Sequence, residues 1–149
     1  MLKAKDYFFV GIQFLLFFAY TFNIGLVEFQ LQKWLEILML SISIIGLIIF
    51  ILAILQLNKN LSPFPTPNSD SELVQTGLYK FVRHPIYTGI LVGCSGFAIY
   101  SESIYRLIIA LFLYVLFLLK TNYEERLLQQ KFEEYGNYKQ KTGRFFPRF

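Results

Sequence analysis

The chain has one cysteine, Cys94, and one histidine, His84. A single cysteine excludes a disulfide framework and a cysteine metal cluster. Lying inside an apolar run, Cys94 reads as a small packing residue. No P-loop and no dinucleotide glycine fingerprint occurs, and no internal repeat is visible. Charged residues make up only 16% of the 149 positions, and none falls at the centre of the first two long apolar runs. Those runs are what the sequence does have. With 55% hydrophobic and 19% aromatic residues, the chain is too apolar for an ordinary soluble domain of one-domain length. The class expected is an all-α integral membrane protein, multi-pass, with about four transmembrane helices and a C-terminal amphipathic cytoplasmic helix. The net charge of +4 gathers on one side of that arrangement. It therefore reports topology, and nucleic acid is excluded as a partner.

Four stretches follow from the hydrophobic pattern. Residues 1–57 hold two scaffold spans, Tyr7 to Val27 and Leu35 to Leu57, with Trp34 at the interface level where indoles settle. The first run is longer than a signal-peptide core and no small-residue cleavage site follows, so it is read as a retained span. Gln13 and Asn23 within it are expected to face other helices, and Ser41, Ser43 and Gly46 form a strip for close packing in the second. Residues 58–84 form a cytoplasmic loop in which Pro63, Pro65 and Pro67 preclude a regular helix. It is either an ordinary linker or a semi-rigid lid. Residues 85–122 form a helical hairpin, Pro85 to Tyr100 and Ile104 to Leu119, turning at Ser101-Glu-Ser103. Gly89, Gly93 and Gly96 give its first arm a face that another helix can approach closely. Residues 123–149 are read as an amphipathic helix, Glu124 to Tyr138, and a basic, aromatic tail suited to an anionic interface.

Four spans place both termini and the Pro-rich loop on one side, with all fourteen Lys and Arg residues except Lys33 and Arg106. The rule for basic residues makes that side the cytoplasm. Pro85 is preorganised for the first turn of a helix, so Arg83 and His84 sit at a helix N-terminus, where free N–H groups favour an anion. The two arms of the hairpin are of similar length, which returns Glu124 and Glu125 to the same surface. On a helical wheel Glu124 lies near the centre of the apolar stripe made by Leu127, Leu128, Phe132, Tyr135 and Tyr138, and Glu125 lies near its edge. A cation, an imidazole, a helix N-terminus and two carboxylates form a reception site for a charged small molecule. Arg83 and His84 snorkelling to headgroups, and Glu124 and Glu125 opening a solvated helix, are the simpler explanation of the same residues.

Gly77-Leu78-Tyr79, Arg83-His84-Pro85-Ile-Tyr87 and Gly89, followed by Glu124-Glu125, Leu128, Phe132, Tyr138 and Pro147, resemble the isoprenylcysteine carboxyl methyltransferase and phospholipid methyltransferase superfamily. Leu61-Ser-Pro-Phe-Pro-Thr-Pro67 is similar to its bacterial members. The family pattern has glycine where Glu133 stands. The resemblance covers about three-fifths of the chain. It implies S-adenosylmethionine as methyl donor, a bacterial inner-membrane location, and a lipophilic small-molecule or lipidated acceptor in contact with membrane lipids. Prenylcysteine-like carboxylate, phospholipid amine and other lipid-like acceptors are all open. Its cofactor-binding residues fall on Gly77, Leu78, Tyr79, Arg83, His84, Pro85, Tyr87, Gly89, Glu124 and Glu125, its catalytic residues on Arg83, Glu124 and Glu125, and no metal is implied. Two alternatives are an NADPH-dependent membrane reductase of sterol-like lipids, sharing a similar carboxyl-terminal layout, and a non-enzymatic membrane scaffold.

Overall fold

A computed structural model describes residues 2–25 and 29–148. Five helices carry it: α1 (Ala4–Thr21), α2 (Lys33–Leu57), α3 (Pro85–Tyr100), α4 (Ile104–Lys131) and α5 (Tyr135–Lys141). The expected end of the first span at Val27 lies outside the described residues. Among the described residues there are no strands, only an isolated bridge between Val82 and Gly143. The chain runs up and down, with α2 against α3, α3 against α4 and α4 against α1. At one end Ser103 caps α4 by accepting from Arg106 N and donates to Asn23 Oδ1 at 2.8 Å. Beside it Glu102 accepts from Leu31 N at 2.6 Å. The opposite end gathers the start of α1, the Pro-rich segment, the start of α3, the end of α4, and α5.

Two helical stretches, Lys33–Asn60 and α4, are long and apolar enough to cross a membrane; α3 is apolar but has 16 residues. In α2 only Gly46 and Ala53 are buried, while Ile44, Leu47, Ile48, Ile51 and Leu55 are exposed. An apolar helix left that bare is in its preferred solvent only in lipid. Its one covered stripe meets α3 backbone to backbone. A Cβ on Gly89 would lie 2.5 Å from Phe50 N, one on Gly96 2.8 Å from Ser43 N, and one on Gly46 would overlap Gly93 N. Ser43 Oγ donates to Gly93 O across this seam at 3.0 Å. On the other side of α3, Leu113, Phe117, Ile109 and Phe145 form a core with Leu16, Tyr87 and Ile90 around it.

The C-terminal helix differs from expectation. Nothing between Leu119 and Glu124 breaks a helix, so the fourth apolar run and the start of the amphipathic stretch are one 28-residue helix. At about 1.5 Å per residue it rises about 42 Å, some 12 Å more than the hydrocarbon thickness. It stops at Lys131. Phe132 is extended (φ −119°, ψ 113°), and the chain turns before α5. The single amphipathic helix from Glu124 to Tyr138 is thus two helices, with the break beside Glu133.

Candidate active site

The two halves of the Arg83-His84 pair do different things. Arg83 Nε donates to Glu125 Oε1 at 2.9 Å. Its Nη1 donates to Lys139 O at 3.1 Å and to Thr142 O, covering carbonyls left open at the end of α5. The backbone repeats the tie: Arg83 N donates to Gly143 O at 2.9 Å and His84 N to Arg144 O at 3.1 Å. His84 is buried, with Nε2 3.3 Å from Glu125 Oε1 and Nδ1 4.0 Å from Glu124 Oε2. Its ring stacks on Tyr87 at 5.6 Å, and Tyr87 stacks on Phe117 at 4.5 Å. Proline at the first position of α3 fixes where this N-terminus begins.

Four positive or proton-bearing groups converge on one carboxylate. Besides Arg83 and His84, Lys139 Nζ lies 2.9 Å from Glu125 Oε2 and Arg144 Nε 3.6 Å from Oε1. Only 2% of the Glu125 side chain is exposed, against 22% for Glu124. The wheel ranked them the other way. It assumed one helix through Tyr138; because the chain breaks after Lys131, α5 and the tail fold back over the Glu125 side. Glu124 instead faces a cavity and accepts from Tyr87 Oη at 3.2 Å.

That cavity, about 380 Å3, is lined by Tyr79, Arg83, His84, Tyr87, Lys120, Glu124, Leu128, Phe132, Tyr135 and Tyr138 at its polar end. Pro63, Phe64, Pro65 and Pro67 form another wall, and Phe14, Phe17, Phe50, Ile54 and Ile90 carry it between the helices. Its size falls in the roughly 300–1,000 Å3 range of small-molecule sites. A second, apolar groove of about 340 Å3 along α2 and α3 shares Phe17, Phe50 and Ile90 with it. Tyr138 Oη donates to Tyr79 O at 2.6 Å, and Tyr79 Oη to Ala53 O at 3.3 Å. Burial pushes the Tyr138 phenol up to about 12, against the nearby Arg83 charge. Burial, and then Glu124, raises Tyr79 as well.

Of the residues expected at the site, Tyr79, Arg83, His84, Tyr87 and Glu124 line the cavity. Glu125 stands behind Arg83 and His84. Gly77 (φ +60°) and Leu78 form the turn that precedes Tyr79, held by Gln56, whose Oε1 accepts from Leu78 N at 2.8 Å. Pro85 is buried as the first residue of α3, and Gly89 belongs to the α2 seam.

Lys120 and Tyr135 are among the lining residues that were not expected. Lys120 is 1% exposed; its Nζ donates to Gln13 Oε1 at 2.6 Å and Pro63 O at 2.9 Å and lies 5.3 Å from the Tyr87 ring centre. Its signal in the sequence was its position, four residues before Glu124 on one helix face. Tyr135 was counted only as part of an apolar stripe. The Pro-rich wall is pinned at three points. Thr66 donates to the buried Asp6, from Oγ1 at 2.8 and 2.9 Å and from N at 3.2 Å. Lys120 holds Pro63, and Lys131 donates to Asn68 O, to Ser69 O at 2.9 Å and to Ser71 Oγ at 2.8 Å.

Residues 34–135 match the phospholipid methyltransferase family. The chain belongs to that family. Two curated relatives are the nickel-cobalt-cadmium resistance protein NccN of Alcaligenes xylosoxydans xylosoxydans, 38% identical over 79 residues, and the cobalt-zinc-cadmium resistance protein CzcN of Cupriavidus metallidurans, 32% identical over 80. These matches cover 52% and 53% of the chain but only 37% of either relative. The family fold extends further. A eukaryotic intramembrane Ras methyltransferase, isoprenylcysteine carboxyl methyltransferase, superposes with a TM-score of 0.70 at 22% identity, over 99% of this chain and 54% of that one. The helices, the tail and the Pro-rich wall therefore form a methyltransferase-family fold that includes the two N-terminal helices. Among the described residues no group of three or more His, Cys, Asp or Glu side chains is placed to hold a metal ion.

Proposed function

We propose that the protein is an integral-membrane, S-adenosylmethionine-dependent methyltransferase acting on a lipophilic acceptor, with four spans, both termini and the site on the cytoplasmic side of a bacterial inner membrane. The observation that carries this is one cavity with two characters: charged and hydrogen-bonding at one end, and apolar between the helices, where it shares Phe17, Phe50 and Ile90 with a second groove. A charged cofactor and a greasy acceptor need such a meeting place.

The polar end fits the cofactor. Glu124 is the uncommitted carboxylate that faces the cavity and suits an ammonium, and the first-turn N–H groups of α3 lack intrahelical partners and suit an anion. The Tyr79 and Tyr87 rings suit adenine. Bound there, the cofactor supplies an electrophilic methyl group on a sulfonium. Arg83, His84 and Glu125 act as a fixed frame that orients Glu124, Tyr87 and the start of α3. Transfer by in-line attack needs alignment and exclusion of water more than a strong base, and the Pro-rich wall supplies the exclusion. A carboxylate acceptor arrives ionised, whereas an amine must shed a proton, for which His84 and Glu124 are the nearby bases. Lys120, a buried cation where the apolar lining begins, favours the acceptor with an anionic oxygen.

The reductase alternative is less well supported, because two of the four basic residues it would enlist for extra phosphates, Lys80, Arg83, Arg126 and Lys131, are otherwise engaged: Arg83 with Glu125 and Lys131 with the Pro-rich wall. The test is to incubate purified protein with methyl-labelled S-adenosylmethionine and fractionated lipids, prenylcysteine analogues and lipophilic acids. Label in a lipophilic product, lost in Glu124→Ala, is the expected result. No transfer to any fraction, with NADPH rather than the methyl donor raising the melting temperature, would replace this reading with the reductase.

A further inference from the structure

Four tyrosines surround the polar end of the cavity, and three of their hydroxyls are satisfied within the protein. Tyr79 donates to Ala53 O, Tyr87 to Glu124 and Tyr138 to Tyr79 O. Tyr135 is the exception. It is 1% exposed and lines the cavity, yet its Oη has no hydrogen-bond partner among the described residues. Buried polar groups in native proteins are paired, and one that is not calls for a ligand or a water. Its placement is not incidental, since the break at Phe132 that ends α4 lets α5 start at Tyr135, on the cavity that Arg83 also lines.

The chemistry of its neighbours narrows the ligand. Burial, reinforced by Glu125, raises the Tyr135 phenol far above its ordinary range, so it is a proton donor. A donor beside Arg83 is matched to an anionic oxygen. Arg83 already spends Nε on Glu125 and Nη1 on the end of α5. A carboxylate arriving at this end of the cavity, beside the N-terminus of α3, would find in the Tyr135 hydroxyl a further donor that no protein group has claimed.

Resting on the methyltransferase reading above, we propose that the Tyr135 hydroxyl donates a hydrogen bond to the carboxylate of the amino-acid moiety of S-adenosylmethionine and so positions the cofactor. Tyr135 is a binding and positioning residue, with no part in the chemistry at the methyl group.

The test is Tyr135→Phe, which removes one oxygen and no packing. Two probes are titrated against the detergent-solubilised full chain: S-adenosylhomocysteine, and 5′-methylthioadenosine, which keeps the nucleoside thioether but lacks the carboxylate. The unliganded variant should melt at the wild-type temperature or higher, because the hydroxyl it loses has no protein partner. Its Kd for S-adenosylhomocysteine should rise about tenfold, the loss expected for a hydrogen bond to a charged group. Its Kd for 5′-methylthioadenosine should not change. Unchanged affinity for both probes, or an equal loss for both, overturns the proposal, as does a lower melting temperature of the unliganded variant. Wild-type protein that binds neither probe overturns the methyltransferase reading itself, a result distinct from any of these.

Discussion

The two sides of α3 are held by opposite means. Toward α2, Gly46, Gly89 and Gly96 remove side chains until backbones touch, and no charge is involved. Toward α4, α5 and the tail, Glu125 collects Arg83, His84, Lys139 and Arg144. The first seam fails when an atom is added, the second when one is taken away. A contact between apolar helices relies on close packing and a neutral hydrogen bond such as Ser43 Oγ to Gly93 O, whereas a contact at the polar end of the bundle can use charge and must satisfy it.

The largest effect should come from the charged side. Glu125→Ala strands the buried Arg83 and should destabilise the protein by about 3–5 kcal/mol, with loss of methyl transfer. Arg83→Ala should do nearly as much, and the double variant scarcely more than either, because the two act as a unit. Thermal unfolding in detergent checks this; strictly additive losses would separate the pair. On the other side of α3, Gly89→Ala should cost about 1–3 kcal/mol by overpacking, whereas Gly93→Ala, whose Cβ would meet nothing closer than 3.6 Å, should be close to neutral. Equal effects at the two positions would break the seam argument.

Glu124→Gln sharpens the contrast within the site. It faces the cavity and keeps one hydrogen bond from Tyr87, so stability should change by less than about 1 kcal/mol while methyl transfer falls at least tenfold. A variant with normal turnover would remove Glu124 from the site. The smallest effect is expected at Lys131, outside both contacts. Lys131→Ala frees the Ser69–Ser71 end of the wall and should leave the melting temperature unchanged, while limited proteolysis near Ser71 becomes faster. Unaltered cleavage would mean that Asp6 and Lys120 hold the wall alone.

Much of this was legible in the sequence. Pro85 marked the start of α3 to the residue. The equal arms of the hairpin brought residue 83 beside residue 125. The glycine spacing announced a close helix contact, without saying that α2 makes it. What could not be read was set by long-range covering. The wheel favoured Glu124 for burial because nothing local revealed that the chain reverses at Phe132. Gly89 sat within the family motif yet serves the seam. Lys120, at the end of an apolar run, has the pattern of a lysine that snorkels to water; it is buried because Pro63 and Gln13, 57 and 107 residues away, close over it. Tyr135 matched the apolar stripe, and periodicity does not distinguish a packed phenol from one whose hydroxyl stands alone.

The Pro-rich wall has a consequence for how its opening can be watched. Prolines at 63, 65 and 67 carry no amide proton, so from Pro63 to Pro67 only Phe64 and Thr66 can exchange with solvent deuterium. Both are engaged: Phe64 N donates to Ser62 Oγ at 3.1 Å and Thr66 N to Asp6 Oδ1 at 3.2 Å. The Phe64 bond is local and survives a rigid swing of the wall, whereas the Thr66 bond reaches across to α1 and does not. The ratio of the two exchange rates is therefore a built-in gauge: Thr66 accelerating alone reports the wall lifting from α1, and both accelerating together report the wall melting.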